Sequence, residues 1–418
     1  MDQITLQPVN AISGEITLPG SKSLTNRALL LAGLATGETR IVNLLSSADT
    51  EHMITALRQL GVEIKEETAN ATVVGNAGLF SKPEKKSFFL GNAGTAIRPL
   101  TAMLNMIPGR FIVDGDEYMR ERPIAHLGDA LTQLGASIEY LNEDGFPPIA
   151  FEGGHIEGGE VNIAGHISSQ YLTALLLSLP LAEKDSTIKV IGEQVSKPYL
   201  DITLGIMKSF GVTVENDQYQ KFLVQGQQNY VSPGEYLVEG DASSASYFFA
   251  AAAINGKVTV RGLGQHSLQG DIQFLDTIEK MGAKVERHDQ HIVVRQGNLQ
   301  GIDVDLNHIP DAAMTIAIMA LFAKGKTRIR NVYNWRVKET DRMTAIETEL
   351  RKLGANVVTT KDSITIEPPA KLVSAEIDTY GDHRIAMGFS LAALGDTPIT
   401  INDPDCTNKT FPNYFAEF

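Results

Sequence analysis

The chain has 418 residues, more than a single hydrophobic core usually supports, so its length predicts two domains. Its net charge of −14 argues against a polyanionic partner such as nucleic acid, and its single cysteine, Cys406, excludes internal disulfides and cysteine-based metal clusters. The sequence lacks a run of roughly 18 apolar residues and a basic, apolar leader, so we expect a cytoplasmic protein without a membrane span.

Six similar segments follow one another along the chain. Each reads as a short strand, a polar loop, an almost wholly apolar helix, another strand and an amphipathic helix. The polar loops are residues 19–22, 91–95, 165–169, 240–243, 307–311 and 380–384. We predict that each loop leads into the N-terminus of an apolar helix.

The amphipathic helices of the first five segments share an end signal. Each is followed by a glycine, and these glycines are separated by 74, 76, 71 and 72 residues: Gly61, Gly135, Gly211, Gly282 and Gly354. Glycine in a left-handed conformation commonly terminates a helix. The nearly constant spacing therefore predicts six structural units of similar length.

The two chain ends look like parts of an interrupted unit. Residues 410–418 predict a sixth amphipathic helix that no strands follow, whereas residues 4–18 contain two strand-like pieces that precede the first loop. We therefore expect the N-terminus to pack with the C-terminal half. Six units divide into three and three, which predicts one domain over 21–238 and a second over 1–20 and 239–418.

The two helix types predict different positions in the fold. A helix that is apolar on all sides is buried, whereas a helix with one apolar stripe, such as Ile124, Leu127, Leu131 and Leu134, covers a surface. If three buried helices run parallel around a pseudo-threefold axis, their N-termini emerge at one end. Two such domains would direct six helix N-termini into one cleft, where unpaired N–H groups favour a small, highly charged anion.

Cationic and hydroxyl side chains recur at the same phase of the repeat, next to these helix N-termini. Simpler interpretations remain open for each motif. Ser168–Gln170 is an ordinary helix cap, 338–342 an ordinary exposed charge run, and Asp311 either a helix-stabilising acid or a proton carrier. Trp335 is expected to pack in the core, and the nine histidines show no paired metal-ligand spacing.

The loop sequences closely resemble those of the 3-phosphoshikimate 1-carboxyvinyltransferase family of enolpyruvyl transferases. The matching motifs span the chain: 18–23, 90–100, 122–123, 168–171, 195–199, 239–244, 309–311, 333–342, 382–384 and 409–412. The resemblance implies an α/β, two-domain enolpyruvyl transferase fold of six βαβαββ units, three per domain, with buried parallel helices and an active site in the interdomain cleft. It also implies transfer of the enolpyruvyl group of phosphoenolpyruvate to the 5-hydroxyl of shikimate 3-phosphate, with release of phosphate, on the route to chorismate and the aromatic amino acids.

The resemblance also implies roles for individual residues. The catalytic residues would be Lys22, Asp311 and Glu339. The shikimate 3-phosphate site would comprise Lys22, Ser23, Arg27, Ser168, Ser169, Gln170, Ser196, Tyr199, Asp311, Asn334 and Lys338. The phosphoenolpyruvate site would comprise Lys22, Asn92, Gly94, Arg122, Gln170, Arg342, His383, Arg384 and Lys409. No metal or organic cofactor is implied, and we expect a monomer that glyphosate inhibits in competition with phosphoenolpyruvate.

Two positions depart from the family pattern beside the expected phosphoenolpyruvate site. Ile97 stands where relatives often have methionine, and Gly381 stands where asparagine is common. These departures bear on inhibitor sensitivity rather than on the reaction. The nearest alternative is the related enzyme that transfers enolpyruvate to UDP-N-acetylglucosamine. An alternative of another class is a non-catalytic module that binds a phosphorylated ligand or an RNA terminus.

Overall fold

The computed structural model describes residues 2–78, 80 and 86–418. Within them the strands β1–β23 are, in order, Gln3–Leu6, Ile12–Thr17, Glu38–Val42, Glu63–Glu67, Asn70–Val74, Ser87–Phe89, Gly109–Asp114, Ser137–Tyr140, Ile149–Gly153, Gly159–Ala164, Ser186–Ile191, Glu215–Asp217, Lys221–Val224, Glu235–Leu237, Gly256–Arg261, Lys284–Arg287, His291–Arg295, Asp303–Asp305, Thr327–Arg330, Asn356–Thr359, Ile364–Glu367, Ala375–Ile377 and Ile399–Asn402.

Helices of two kinds connect these strands. The α-helices α1–α13 are, in order, Lys22–Leu34, Ala48–Gln59, Gly94–Leu104, Glu117–Arg120, Ala125–Gln133, Ser169–Ser178, Lys197–Ser209, Ala242–Asn255, Phe274–Met281, Ala313–Met319, Arg342–Lys352, His383–Ser390 and Tyr414–Glu417. Short 3₁₀ helices occupy Leu179–Leu181, Gly270–Gln273, Ala320–Phe322, Tyr333–Val337, Leu391–Leu394 and Pro404–Lys409. No α-helix in the described part of the chain is both long and apolar enough to cross a bilayer.

The chain forms two compact units. The continuous unit is Gly20–Val238, and the split unit joins the N-terminal residues up to Pro19 with Glu239–Phe418. Each unit has its own apolar core. The chain therefore passes between the units twice, once after Pro19 and once after Val238.

Each unit contains three small sheets, and all of these except the three-stranded sheet β1-β23-β22 share one design. A parallel strand pair is joined on one side to an antiparallel hairpin, because the first crossover contains a helix and the second connection is a short turn. In the continuous unit the orders are β14-β3-β5-β4, β6-β7-β9-β8 and β10-β11-β13-β12. In the split unit they are β2-β15-β17-β16, β18-β19-β21-β20 and β1-β23-β22.

The strand before each passage between the units pairs within the unit that the chain is about to leave. Strand β2 leads into α1 of the continuous unit, yet it pairs in parallel with β15 of the split unit. Strand β14 leads into α8 of the split unit, yet it pairs in parallel with β3 of the continuous unit. Both strands therefore belong to the unit that the chain is leaving.

The expected packing of the N-terminus is confirmed, with one correction. Strand β1 pairs antiparallel with β23 and β2 pairs with β15, so both N-terminal strands lie in the split unit. They join two different sheets, however, and do not complete a single interrupted unit. The sequence could not distinguish these arrangements, because pairing partners that lie more than 240 residues away leave no local signal.

The predicted helix boundaries are confirmed. All six polar loops lead into α-helices, namely α1, α3, α6, α8, α10 and α12. The five glycines that follow amphipathic helices all have positive φ, between 82° and 113°. Residues that carry a Cβ rarely adopt this backbone conformation, which explains why glycine recurs at this point.

The predicted sixth amphipathic helix is wrong over most of its length. The structure instead has the 3₁₀ helix Pro404–Lys409 and a single helical turn, α13. Pro412 lies between them, and a residue that precedes proline is disfavoured in the helical conformation, so Phe411 interrupts a helix that would extend from residue 410. Phe411 and Tyr414 from this segment are nevertheless buried in the core of the split unit.

Burial follows the two predicted helix types. Every residue of α8 except its last, Asn255, is buried, and α10 is buried throughout. In α5 and its flanks the predicted stripe of Ile124, Leu127, Leu131 and Leu134 is buried. Trp335 is also fully buried, and its indole N–H donates to the Pro310 carbonyl at 2.7 Å. This bond fastens the 3₁₀ turn at Tyr333–Val337 to the loop that carries Asp311.

Candidate active site

The residues singled out from the sequence form clusters within each unit. In the continuous unit, Lys22 is the first residue of α1 and is largely buried. Its Nζ lies 3.1 Å from Oδ2 of Asp49, which is in the first turn of α2. This acid partner was not anticipated, because an aspartate just inside a helix start is usually a simple dipole-stabilising residue. The pairing fixes the Lys22 ammonium group in one position.

Arg27 is held by α1 and α7 together. Its Nε donates to Thr203 Oγ1 at 3.0 Å, and its Nη1 donates to the Ser23 carbonyl at 2.9 Å. Thr203 Oγ1 in turn donates to the Tyr199 carbonyl at 2.8 Å, so it links Arg27 to the first turn of α7. Burial lowers the pKa of Arg27 to about 10, partly offset by Tyr199 and Tyr236, and the side chain therefore stays charged at neutral pH.

A third cluster surrounds the start of α3, and we call it the Gly94 cradle: Asn92, Gly94, Arg98, Arg122 and Gln170. Arg122 Nη1 donates to Asn92 Oδ1 at 2.6 Å and to the Asn92 carbonyl at 3.1 Å. A Cβ on Gly94 would lie 2.7 Å from both Arg98 Nη1 and Arg122 Nη2, and 3.0 Å from Gln170 Oε1. Two guanidinium groups and an amide thus converge on a backbone that has no side chain.

Arg98 is the member of this cradle that the sequence reasoning missed. It lies one helical turn after Gly94 and is buried, with Nη2 donating to the Pro123 carbonyl at 3.1 Å. Tyr171 donates to the same carbonyl at 2.8 Å. The four-residue spacing from Gly94 within a helix was the available signal, because residues at that separation share a face.

The serine motifs lie at two further helix starts of the continuous unit. Ser168 caps α6 by accepting a hydrogen bond from the Gln170 amide at 3.2 Å, so the predicted helix cap is confirmed. Ser169, the next residue, is buried. Ser196 precedes α7 with a left-handed φ of 55°, a costly conformation for a residue other than glycine. Such strain is concentrated at ligand-binding sites.

In the split unit one arginine binds three carboxylates. Arg342 is almost fully buried; its Nε donates to Asp382 Oδ2 at 2.7 Å, its Nη1 to Asp311 Oδ1 at 2.8 Å and its Nη2 to Glu339 Oε2 at 2.8 Å. The interpretation of 338–342 as an exposed charge run is therefore wrong for Arg342. Asp382 is also fully buried and caps α12 through the Arg384 amide at 2.9 Å.

Further cations surround the same carboxylates. Arg384 Nη2 lies 3.1 Å and Lys338 Nζ 3.6 Å from Asp311, and Lys409 Nζ lies 3.8 Å from Glu339. We call this set the Arg342 cluster: Asp311, Lys338, Glu339, Arg342, Asp382, Arg384 and Lys409. Four cations face three carboxylates, which leaves one net positive charge. His383, which lies between Asp382 and Arg384 in the sequence, is buried, and Asn334 is buried as well.

The cations determine the protonation state of Asp311. Burial by itself would raise the pKa of this carboxyl, but Arg384, Lys338 and Arg342 together hold it below its ordinary value. Burial would likewise lower the pKa of Arg342, but Asp382, Glu339 and Asp311 raise it overall. Asp311 is therefore ionised at neutral pH, and Arg342 remains charged.

A second buried acid, Asp271, also belongs to this environment and was not anticipated. It lies in the 3₁₀ helix Gly270–Gln273 and accepts a short hydrogen bond from the Ser243 hydroxyl. Burial, followed by the negative charge of Asp311, raises the pKa of Asp271 to about 7, while Ser243 and Arg384 lower it in part. Asp271 therefore changes charge near neutral pH.

Other candidates lie outside these clusters. Arg120 pairs with Asp114 at 2.6 Å, and nearly half of its side chain is exposed. The described residues contain no group of three or more His, Cys, Asp or Glu that could hold a metal ion. Burial raises the pKa of Cys406 to about 12, so its thiol is not activated.

The whole chain is similar to proteins of known family. The family model for EPSP synthase (3-phosphoshikimate 1-carboxyvinyltransferase) matches residues 6–418. The chain is 59% identical to the 3-phosphoshikimate 1-carboxyvinyltransferase of Vibrio cholerae serotype O1 (strain M66-2) and 60% identical to that of Tolumonas auensis. Both alignments cover 100% of this chain and 99% of the relative.

Solved structures show the same fold. An EPSP synthase from Acinetobacter baumannii has a TM-score of 0.82 at 28% identity, over 99% of this chain and 97% of the other. The enolpyruvyl transferase NikO from Streptomyces tendae has a TM-score of 0.79 at 16% identity, over 99% and 96%, which shows the fold alone. The predicted two-domain enolpyruvyl transferase fold is confirmed. The chain belongs to the EPSP synthase, or 3-phosphoshikimate 1-carboxyvinyltransferase, family.

Proposed function

We propose that the chain transfers the enolpyruvyl group of phosphoenolpyruvate to the 5-hydroxyl of shikimate 3-phosphate and releases inorganic phosphate. This is a step of the shikimate pathway to chorismate and the aromatic amino acids. Family membership over residues 6–418 supports the reaction. The observation that carries it is the Arg342 cluster, in which two candidate proton-transfer acids are held among four cations.

Charge explains why two phosphates and two carboxylates can be brought together. We assign the phosphoenolpyruvate site to Lys22, Asn92, Gly94, Arg122 and Gln170 of the continuous unit and to Arg342, His383, Arg384 and Lys409 of the split unit. Each cation that now pairs with a protein carboxylate can turn towards a substrate oxygen at little cost, because one charged partner replaces another. The Gly94 cradle places two guanidinium groups beside a backbone that an anion can approach closely.

The acceptor substrate is assigned to the remaining motifs. Shikimate 3-phosphate would contact Lys22, Ser23, Arg27, Ser168, Ser169, Gln170, Ser196, Tyr199, Asp311, Asn334 and Lys338. The starts of α1, α6 and α7 supply backbone N–H donors for its phosphate and hydroxyl groups. We propose that residues of both units act on one pair of substrates in a cleft between them.

The reaction has an addition step and an elimination step, and protons move in both. In the addition step the 5-hydroxyl oxygen bonds to C2 of phosphoenolpyruvate, the hydroxyl proton leaves and the methylene carbon gains a proton. In the elimination step the methyl group loses a proton and the bond to the phosphate oxygen breaks, so phosphate departs with that electron pair. Asp311 accepts the hydroxyl proton as an ionised carboxylate, and it becomes a stronger base once Arg384 and Lys338 turn towards substrate oxygens, because these are the cations that lower its pKa. Glu339 exchanges a proton with the carbon, and Lys22 donates a proton to the departing phosphate.

The decisive test replaces Asp311 with its neutral isostere. We expect Asp311→Asn to lower kcat by roughly 10²–10⁴-fold, the usual contribution of a positioned acid or base, while calorimetry still detects shikimate 3-phosphate binding. Asp303→Asn is the matched control, since Asp303 pairs with Arg330 on an exposed sheet surface. Phosphate release is measured with shikimate 3-phosphate and, separately, with UDP-N-acetylglucosamine as acceptor.

The outcomes separate the candidate functions. Release only with the UDP-sugar would favour the related cell-wall enzyme, and binding without turnover by the unmodified protein would favour a non-catalytic module. Full activity of Asp311→Asn would refute the role given to this carboxylate. The proposal also includes a cytoplasmic monomer that glyphosate inhibits in competition with phosphoenolpyruvate, which size-exclusion chromatography and inhibition kinetics can check.

A further inference from the structure

The turn that leads into α12 is held at two points by a single helix. Arg342 and Glu349 lie seven residues apart on α11, two helical turns, so they share a face. Arg342 binds Asp382 through Nε at 2.7 Å. Glu349 binds the same segment a few residues earlier, at Asp378 and Tyr380.

Glu349 is fully buried and its carboxylate has three partners. Oε1 accepts a hydrogen bond from the Tyr380 hydroxyl at 2.6 Å, and Oε2 accepts one from the Asp378 amide at 3.2 Å. Lys352 Nζ lies 2.8 Å from Oε2 and also 2.8 Å from Asp378 Oδ2. Burial, followed by the bond to Glu349, raises the pKa of the Tyr380 hydroxyl, so it remains a donor at neutral pH.

The residue that Glu349 binds has an unfavourable backbone conformation. Tyr380 has a φ of +55° and Gly381 a φ of +64°, so two consecutive residues are left-handed. The Asp382 amide then donates to the Thr379 carbonyl at 2.8 Å and closes the turn. A tyrosine in this region persists only where its surroundings impose the conformation. The bond from Tyr380 to Glu349 supplies that constraint.

We propose that Glu349 and Tyr380 are positioning residues that fix the turn carrying Asp382 and Arg384, and thereby set the affinity for phosphoenolpyruvate. Neither residue contacts substrate in this proposal, which rests on the proposed function. Their effect passes through Asp382, which orients Arg342, and through Arg384, which follows it at the start of α12. A displacement of this turn changes the spacing of two cations assigned to one anionic substrate.

Tyr380→Phe is the first test, because it removes one hydroxyl and leaves the ring. We expect KM for phosphoenolpyruvate to rise roughly tenfold, below the hundredfold that a displacement of about 1 Å can cause, with kcat and KM for shikimate 3-phosphate changed less than about twofold. Tyr219→Phe is a matched control. Tyr219 also has a positive φ, +60°, and its hydroxyl donates to the Asp201 carboxylate at the same 2.6 Å.

A second pair of variants tests the acceptor. Glu349→Gln keeps one oxygen that can accept from Tyr380 but places its NH2 group against the Asp378 amide, so its KM for phosphoenolpyruvate should lie between those of the unmodified enzyme and Glu349→Ala. Glu349→Ala should match or exceed the effect of Tyr380→Phe. A purely stabilising role would lower the melting temperature of all these variants, Tyr219→Phe included, without a selective change in one KM.

The possible results are distinct. If the unmodified protein does not form product from the two substrates, the proposed function fails. If it does, and Tyr380→Phe retains the original KM for phosphoenolpyruvate, the positioning role is refuted. A change of equal size in both KM values, an equal effect of Tyr219→Phe, or loss of folding in both Tyr380→Phe and Glu349→Gln would also refute it.

Discussion

Asp271 makes the stability of the split unit depend on pH in a predictable direction. Its native pKa of about 7 lies well above the ordinary value of 3.8, because burial and Asp311 disfavour the charged form. Between these two pH values the native state holds a proton that the unfolded chain releases. The free energy of unfolding contributed by this group therefore falls as pH rises, and the loss is complete once pH passes 7.

The size of this effect follows from the pKa. Each pH unit below about 7 is worth about 1.4 kcal/mol for one group, so the contribution falls by roughly 3 kcal/mol between pH 5 and pH 8. Asp271→Asn removes the titration and keeps an oxygen that can accept from the Ser243 hydroxyl. The difference in free energy of unfolding between the variant and the unmodified protein should therefore favour the variant more at pH 8 than at pH 5.

Thermal or urea unfolding at both pH values measures the difference. For a unit of this size, about 3 kcal/mol corresponds to a relative shift in Tm of roughly 6–12 °C. Other titrating groups, including Asp311, largely cancel in the comparison between variant and unmodified protein. Asp276→Asn is the control, because Asp276 is an exposed aspartate that pairs with Arg287. An identical Tm difference for Asp271→Asn at pH 5 and pH 8 would refute the reasoning.

Two glycine substitutions test the geometry of the continuous unit, with Gly14→Ala as a shared control because no atom lies within 4 Å of its added Cβ. Gly94→Ala should raise KM for phosphoenolpyruvate by roughly tenfold or more, because its Cβ would lie 2.7 Å from nitrogens of Arg98 and Arg122. Steady-state kinetics measure this change, and an unchanged KM would contradict the role given to the Gly94 cradle. Gly135→Ala should destabilise the fold by about 1–2 kcal/mol, because Gly135 has a φ of +104° that alanine adopts only with strain, and neither KM should change. An unchanged midpoint of urea unfolding would contradict this prediction.

The sequence by itself determined the features that depend on neighbouring residues. Helix starts, glycine stops such as Gly135 and the burial of apolar helices follow from capping, backbone sterics and periodicity, which operate over a few residues. The family resemblance supplied the candidate site residues. The C-terminal segment is an exception, because the helix predicted over 410–418 is disfavoured at Phe411, the residue before Pro412.

Only the tertiary structure decided which distant groups share a buried environment. Asp382 joins Arg342 across 40 residues, and Asp271 becomes a neutral-pH acid because folding places it among Ser243 and Asp311. The pairing partners of β1 and β2 were likewise invisible, because these strands join β23 and β15 of two different sheets far along the chain. Pairing, desolvation and charge coupling depend on distances in space, and a linear pattern fixes those distances only after the chain has folded.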